Sequence, residues 1–138
     1  MSVVREAMVP EPRTLAAGAT AQEAGELLLR PEVRAVFVCE DERLVGVVTR
    51  KTLVREIVAA GRDPRGTAVG DIAEPPNYTI GSDMDVDQAF RFLEEHDLER
   101  VPVVEDGRLV GVLSRAVLQR RLAEDEPPEE EAEEGTPV

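Results

Sequence analysis

Residues Arg43–Leu53 read RLVGVVTRKTL, and residues Arg108–Leu118 read RLVGVLSRAVL, 65 positions further on. The correspondence outruns the phrase itself. Laid against residues 101–120, residues 36–55 are identical at twelve of twenty positions without a gap. Upstream, Pro10 and Pro75, Thr14 and Thr79, Ala24 and Ala89, and Leu28 and Leu93 stay in the same register. Two copies with so long a period exclude a solenoid. They predict two homologous lobes related by an approximate two-fold axis. The expected fold is α/β, two β-α-β-β-α repeats packed sheet to sheet. Repeat 1 spans 3–66, repeat 2 spans 67–123, and 124–138 falls outside both.

Each repeat reads in the same order. A short strand is expected at Arg13–Leu15 and again at Tyr78–Ile80. TAQEAGELLLR follows as a helix, with Thr20 and Glu23 spaced as a capping box and Ala24, Leu27 and Leu28 on one face. DVDQAFRFLEEH repeats the plan with Asp85, Gln88, Ala89, Phe92 and Leu93. AVFVCE and VPVVED are β-branched runs typical of buried strands. EDER and EDGR are acidic turns, the second a hairpin turn by its Gly107. LVGVVT and LVGVLS are the returning strands. Gly46 and Gly111 interrupt them at equivalent places, a mark of a bulge or of close backbone approach. Thr49 and Ser114 then cap second helices whose apolar faces carry Leu53 and Ile57, or Leu118 and Leu122. Gly61 is placed to end the first of these.

The net charge of −13 is concentrated at one end. The last fifteen residues, EDEPPEEEAEEGTPV, hold eight acids and no base. Such a run is expected to be disordered and solvating. No basic stripe interleaved with aromatics is present, so nucleic acid is not an expected partner. No apolar run approaches the 18 residues of a membrane span, and no signal-peptide core opens the chain. A soluble, cytoplasmic protein is expected. Cys39, the one cysteine, excludes an internal disulfide and fits a reducing compartment.

Thr49-Arg50-Lys51 sits at an expected helix N-terminus. Unpaired amides, a positive dipole end, a hydroxyl and two cations together suit a phosphate. Ser114-Arg115 offers a weaker version in the other lobe. The same residue types also serve as ordinary caps and surface charges. Cys39, in a buried run, reads as a small core residue. His96 lacks a Cys or His partner for a metal site. Ser114 has neither a glycine elbow nor a histidine base in its motif, so no nucleophilic centre is read and no enzyme is expected. The glutamates at 129–131 and 133–134 form no fixed cation cage.

Taken together, "RVPVVEDGRLVGVLSRAVL" and "RAVFVCEDERLVGVVTRKTL", preceded by "EAMVPEPRTL" and "DIAEPPNYTI", resemble tandem cystathionine-β-synthase (CBS) domains, a Bateman module, over roughly residues 3–123. The resemblance implies a non-catalytic regulatory module that binds AMP, ADP, ATP or an S-adenosylmethionine-type ligand between its lobes. It also implies a homodimer that reports ligand state to a protein partner of unknown identity. By the family's arrangement, Thr49, Arg50 and Thr52 meet Thr79, Ile80, Val101 and Pro102 at one site. Thr14, Leu15, Val36 and Phe37 meet Ser114 and Arg115 at a weaker second one. Phe37 stands where the other repeat has Pro102, to fill the pocket or to stack on a base. The family motif ends in an aspartate that takes ribose hydroxyls. Here Thr52 and Val117 occupy that position. Valine cannot accept a hydrogen bond, so the Thr49 side is the better candidate. The missing carboxylates also suit a second reading, a ligand-free pair serving dimerisation or docking.

Overall fold

The computed structural model describes residues 2–10 and 12–124, and the acidic run after Glu124 lies outside the described residues. A lead-in helix, α1 (Val4–Ala7), runs into a short strand, β1 (Val9–Pro10). Lobe 1 then contains β2 (Thr14–Ala16), α2 (Ala21–Leu28), β3 (Val36–Glu40), β4 (Arg43–Val48) and α3 (Arg50–Leu53), which relaxes into a π-helical turn over Val54–Val58. A second lead-in helix, α4 (Val69–Ile72), precedes lobe 2: β5 (Ile80–Gly81), α5 (Val86–Glu95), β6 (Arg100–Glu105), β7 (Arg108–Ser114) and α6 (Arg115–Glu124).

Local chemistry accounts for the helix starts. The Glu23 amide donates to the Thr20 hydroxyl (3.2 Å) and the Thr20 amide to the Glu23 carboxylate (2.8 Å). A cap of this kind contributes about 1 kcal/mol. The second copy departs from the plan: Asp85 makes no side-chain cap bond. The amide of the first helical residue, Val86, donates to the Ser2 carbonyl (3.1 Å), so the incoming chain satisfies one of the helix's free N–H groups. Gly61 ends the first lobe's helical run in the left-handed region (φ 71°), as its position predicts.

Both hairpins turn on two left-handed residues, Asp41 and Glu42 (φ 52° and 71°) and Asp106 and Gly107 (φ 52° and 82°). This is the type I′ pattern that matches strand twist. Only the second turn has glycine where it is cheapest. Glu42 adopts the same geometry at a cost of about 1 kcal/mol.

In each lobe the lead strand lies parallel to the first long strand, β2 on β3 and β5 on β6. The long strands pair antiparallel, β3 with β4 and β6 with β7. The two sheets join through the single pair Arg43–Arg108 at the hairpin ends, giving the order β2-β3-β4-β7-β6-β5.

The cores show an exchange. Ala21, Ala24, Leu28, Val36, Val38, Val48 and Ile57 of lobe 1 pack with Val69 and Ile72 of α4. Ile80, Ala89, Leu93, Val101, Val103 and Leu113 of lobe 2 pack with Val4 and Ala7 of α1. Each repeat thus lends its lead-in helix to one core, and the α1 core lies in the opposite lobe. The strand glycines follow from this. After α4 the chain crosses β4, where Val47 and Glu74 exchange backbone hydrogen bonds of 2.8 and 2.9 Å. A Cβ on Gly46 would lie 2.6 Å from the Ala73 Cβ. After α1 the chain crosses β7, with Val9 opposite Val112. A Cβ on Gly111 would lie 2.5 Å from the Met8 sulfur and 2.9 Å from the Val9 carbonyl. α1 is further clamped by Arg5, whose guanidinium donates to Glu105 (2.8 Å) and to the buried Ser82 hydroxyl (3.0 Å).

Candidate functional site

Between the lobes lies an open cleft of about 620 Å³. Its apolar walls come from both sheets, Phe37 and Val47 on one side and Val101, Pro102 and Val112 on the other. The chain crossing from α4 supplies a third wall, Glu74 to Tyr78. Thr49 and Ser114 both line this one cleft, so the two expected half-sites share a single space.

Of the residues predicted from the sequence, the cleft gathers Thr49, Val101, Pro102, Phe37 and Ser114. Phe37 is only 6% exposed, which makes it wall rather than a free stacking surface. The remaining residues are engaged elsewhere. The Arg50 guanidinium donates to the carbonyls of Leu28 and Arg30 and closes the C-terminus of α2. Arg115 pairs with Glu99 at 2.8 Å. Val36 and Ile80 are buried in the two cores, and Thr79 is exposed away from the cleft walls. Thr14 and Leu15 border a second depression of about 920 Å³, beside Cys39, Arg43 and Arg108.

The expected phosphate cradle at Thr49 is partly closed by its own side chains. The Thr52 amide donates to the Thr49 hydroxyl (3.2 Å), and the Thr49 amide donates to the Thr52 hydroxyl (3.0 Å). The helix that follows runs from Arg50 through the π turn to Val58. Thr52 is fully buried, and its hydroxyl donates to the Glu74 carboxylate at 2.8 Å. It acts on the cleft through Glu74 rather than directly.

Sequence reasoning did not single out five charged residues that line the cleft: Arg13, Glu32, Arg34, Glu74 and Arg100. The three arginines have no ion-pair partner among the described residues. Glu74 is held by Thr52 and by Arg55 (2.7 Å). The Thr52 hydrogen bond, opposed by desolvation and aided by Arg55, keeps its carboxyl below the ordinary glutamate value. The repeat register carries a signal for some of these. Glu74 aligns with Val9, Arg100 with Ala35 and Arg34 with Glu99, each a change of charge between otherwise matched halves.

Tyr78 stands at the cleft with its ring 5.6 Å from Phe92 and 4.5 Å from His96. His96 therefore belongs to an aromatic cluster. Among the described residues, no three His, Cys, Asp or Glu side chains gather as a metal site requires. Cys39 is half-buried, and burial pushes its thiol up, away from the reactive thiolate. No helix among the described residues is long and apolar enough to cross a membrane.

The sequence matches the family model of the CBS domain twice, over residues 4–59 and 69–124. Hypoxic response protein 1 of Mycobacterium tuberculosis (strain CDC 1551 / Oshkosh) is 31% identical over 106 residues, which cover 76% of this chain and 74% of that protein. The crystal structure of Hypoxic Response Protein I with two coordinated zinc ions superposes with a TM-score of 0.73 at 27% identity, covering 91% of this chain and all of that one (100%). The crystal structure of CBSX2 in complex with AMP also gives 0.73 at 27% identity, covering 90% of this chain and 98% of that one.

Proposed function

We propose, from the premise that this chain belongs to the CBS-domain family and carries the domain twice, that it is a non-catalytic ligand sensor. It binds an adenosine nucleotide in the inter-lobe cleft and passes occupancy to a protein partner through the relative packing of its lobes. The observation that carries this reading is the composition of the cleft. Apolar walls of Phe37, Val47, Val101 and Val112 suit a flat base, and Arg13, Arg34 and Arg100 suit phosphate. The AMP complex of CBSX2, a similar chain, supports the same ligand class. Of the sequence-predicted contacts, Thr49, Val101 and Pro102 belong to this site. Coupling requires only that the ligand bind two arrangements of the lobes unequally.

Titration calorimetry with AMP, ADP, ATP and S-adenosylmethionine tests the reading. Saturable binding of at least one is expected. Arg34→Ala combined with Arg100→Ala should weaken nucleotides about tenfold or more and leave adenosine nearly unaffected. Silence of the wild type across the panel at millimolar ligand would instead support a ligand-free docking module.

The helical face of lobe 1 supports a homodimer. Leu29, Val54 and Val58 are 79%, 58% and 73% exposed, on the end of α2 and the adjoining π turn. The corresponding residues of lobe 2 are Glu94, Gln119 and Ala123. An apolar patch confined to one lobe fits a self-complementary contact between two copies of lobe 1. Val58→Asp should shift sedimentation from dimer to monomer, whereas Ala123→Asp should leave the dimer intact. A Val58→Asp protein that stays dimeric would place the interface elsewhere.

A further inference from the structure

The two halves of the cleft are chemically unequal at a pair of positions that touch. In the lobe 1 half these are Thr52 and Glu74, joined by a hydrogen bond of 2.8 Å. The 65-residue register puts Val117 and Val9 in their places in the lobe 2 half. Both members change together, from hydrogen-bonding to apolar. At this pair of positions the lobe 1 half has a carboxylate and the lobe 2 half only hydrocarbon.

The carboxylate is rigidly presented. The backbone of Glu74 is fixed on β4 by its two bonds with Val47, 2.8 and 2.9 Å. The Thr52 hydroxyl (2.8 Å) and the Arg55 guanidinium (2.7 Å) both donate to Oε2. Oε1 has no partner among the described residues, and the side chain, 48% exposed, lines the cleft with Thr49. An ionised carboxylate only accepts hydrogen bonds, so Oε1 calls for an O–H or N–H donor and repels phosphate. The arginines of the cleft select the anionic end of a ligand. Glu74 selects a hydroxyl-bearing part of the same molecule.

We propose that Glu74, contributed by the chain that follows α4 of repeat 2, reads the ribose hydroxyls of the bound nucleotide and confines that recognition to the lobe 1 half of the cleft. This rests on the nucleotide-sensor reading above and adds the residue that sets its specificity for ribose over deoxyribose.

Calorimetric titration of the full chain with AMP, 2′-deoxy-AMP and 3′-deoxy-AMP tests it. The wild type should prefer AMP to at least one deoxy analogue by about tenfold or more, the scale of one charge-assisted hydrogen bond. In Glu74→Ala the preference should fall to within about twofold. Arg55→Met removes the ion pair but not the acceptor, so it should retain the preference. That control separates recognition by Glu74 from a purely structural ion pair. If wild type binds AMP and both deoxy analogues equally, or if the preference survives Glu74→Ala, the role of Glu74 is overturned while the nucleotide site stands. If the wild type binds none of the three, both fall together.

Discussion

Gly46→Val and Gly111→Val should each cost about 3 kcal/mol of stability, read as a fall in the urea midpoint with an unchanged slope. A Cβ at 46 would meet the Ala73 Cβ at 2.6 Å and the Glu74 carbonyl at 3.2 Å. Neither can swing aside, because the adjoining Val47 and Glu74 hold each other by two backbone hydrogen bonds. Relief requires the crossing segment to lift from β4, which breaks those bonds and withdraws α4 from the lobe 1 core. At Gly111 the Met8 side chain can move, but the Val9 carbonyl at 2.9 Å is backbone paired with β7. Gly18 is the internal control. Nothing lies within 4 Å of a Cβ there, so Gly18→Ala should leave the midpoint near that of the wild type. Wild-type stability in Gly46→Val would mean that the crossing is not closely packed.

These glycines also show what the sequence could reveal. Their position in both repeats signals a close backbone approach, but a sequence does not say what approaches. The approaching segments come from tertiary exchange, which leaves no periodic trace in four-residue helices such as α1 and α4. The repeat, the order of elements and the Thr20–Glu23 cap were legible because each rests on local spacing. The spacing at Asp85 suggests the same cap, but Asp85 makes no side-chain cap bond. Thr49 and Pro102, which the family motif offers, line the cleft. Arg50 has the residue type a phosphate site needs, yet its guanidinium is drawn to the free carbonyls that end α2. Arg34 and Arg100 lie where the two repeats differ, so a search for what the repeats share passes over them. Aligned differences, Glu74 against Val9 above all, carry information about the cleft that the identities do not.

The exchange of lead-in helices leads to an outcome that sequence order alone would reverse. Val4 is fully buried, and the core it enters is built on Ile80, Leu93, Val101 and Leu113 of the second repeat. Val4→Asp should therefore loosen lobe 2 first, although residue 4 belongs to repeat 1. Val69, also fully buried, sits with Leu28, Val36 and Val48, so Val69→Asp should loosen lobe 1 first. A buried carboxylate with no partner costs about 3–5 kcal/mol, whether it stays charged or takes up a proton to avoid the charge. Hydrogen exchange resolves the two lobes separately. In Val4→Asp the amides of α5, β6 and β7 should lose protection before those of β3 and β4, and in Val69→Asp the order should invert. The hydrogen bonds joining α1 to lobe 2, from Val4 to Met84 and from Arg5 to Ser82 (both 2.8 Å), should open with the damaged core. If Val4→Asp released lobe 1 first, the cores would not be exchanged. The crossing of residue 74 over β4 would then lose its structural basis, and with it the carboxylate's place in the cleft.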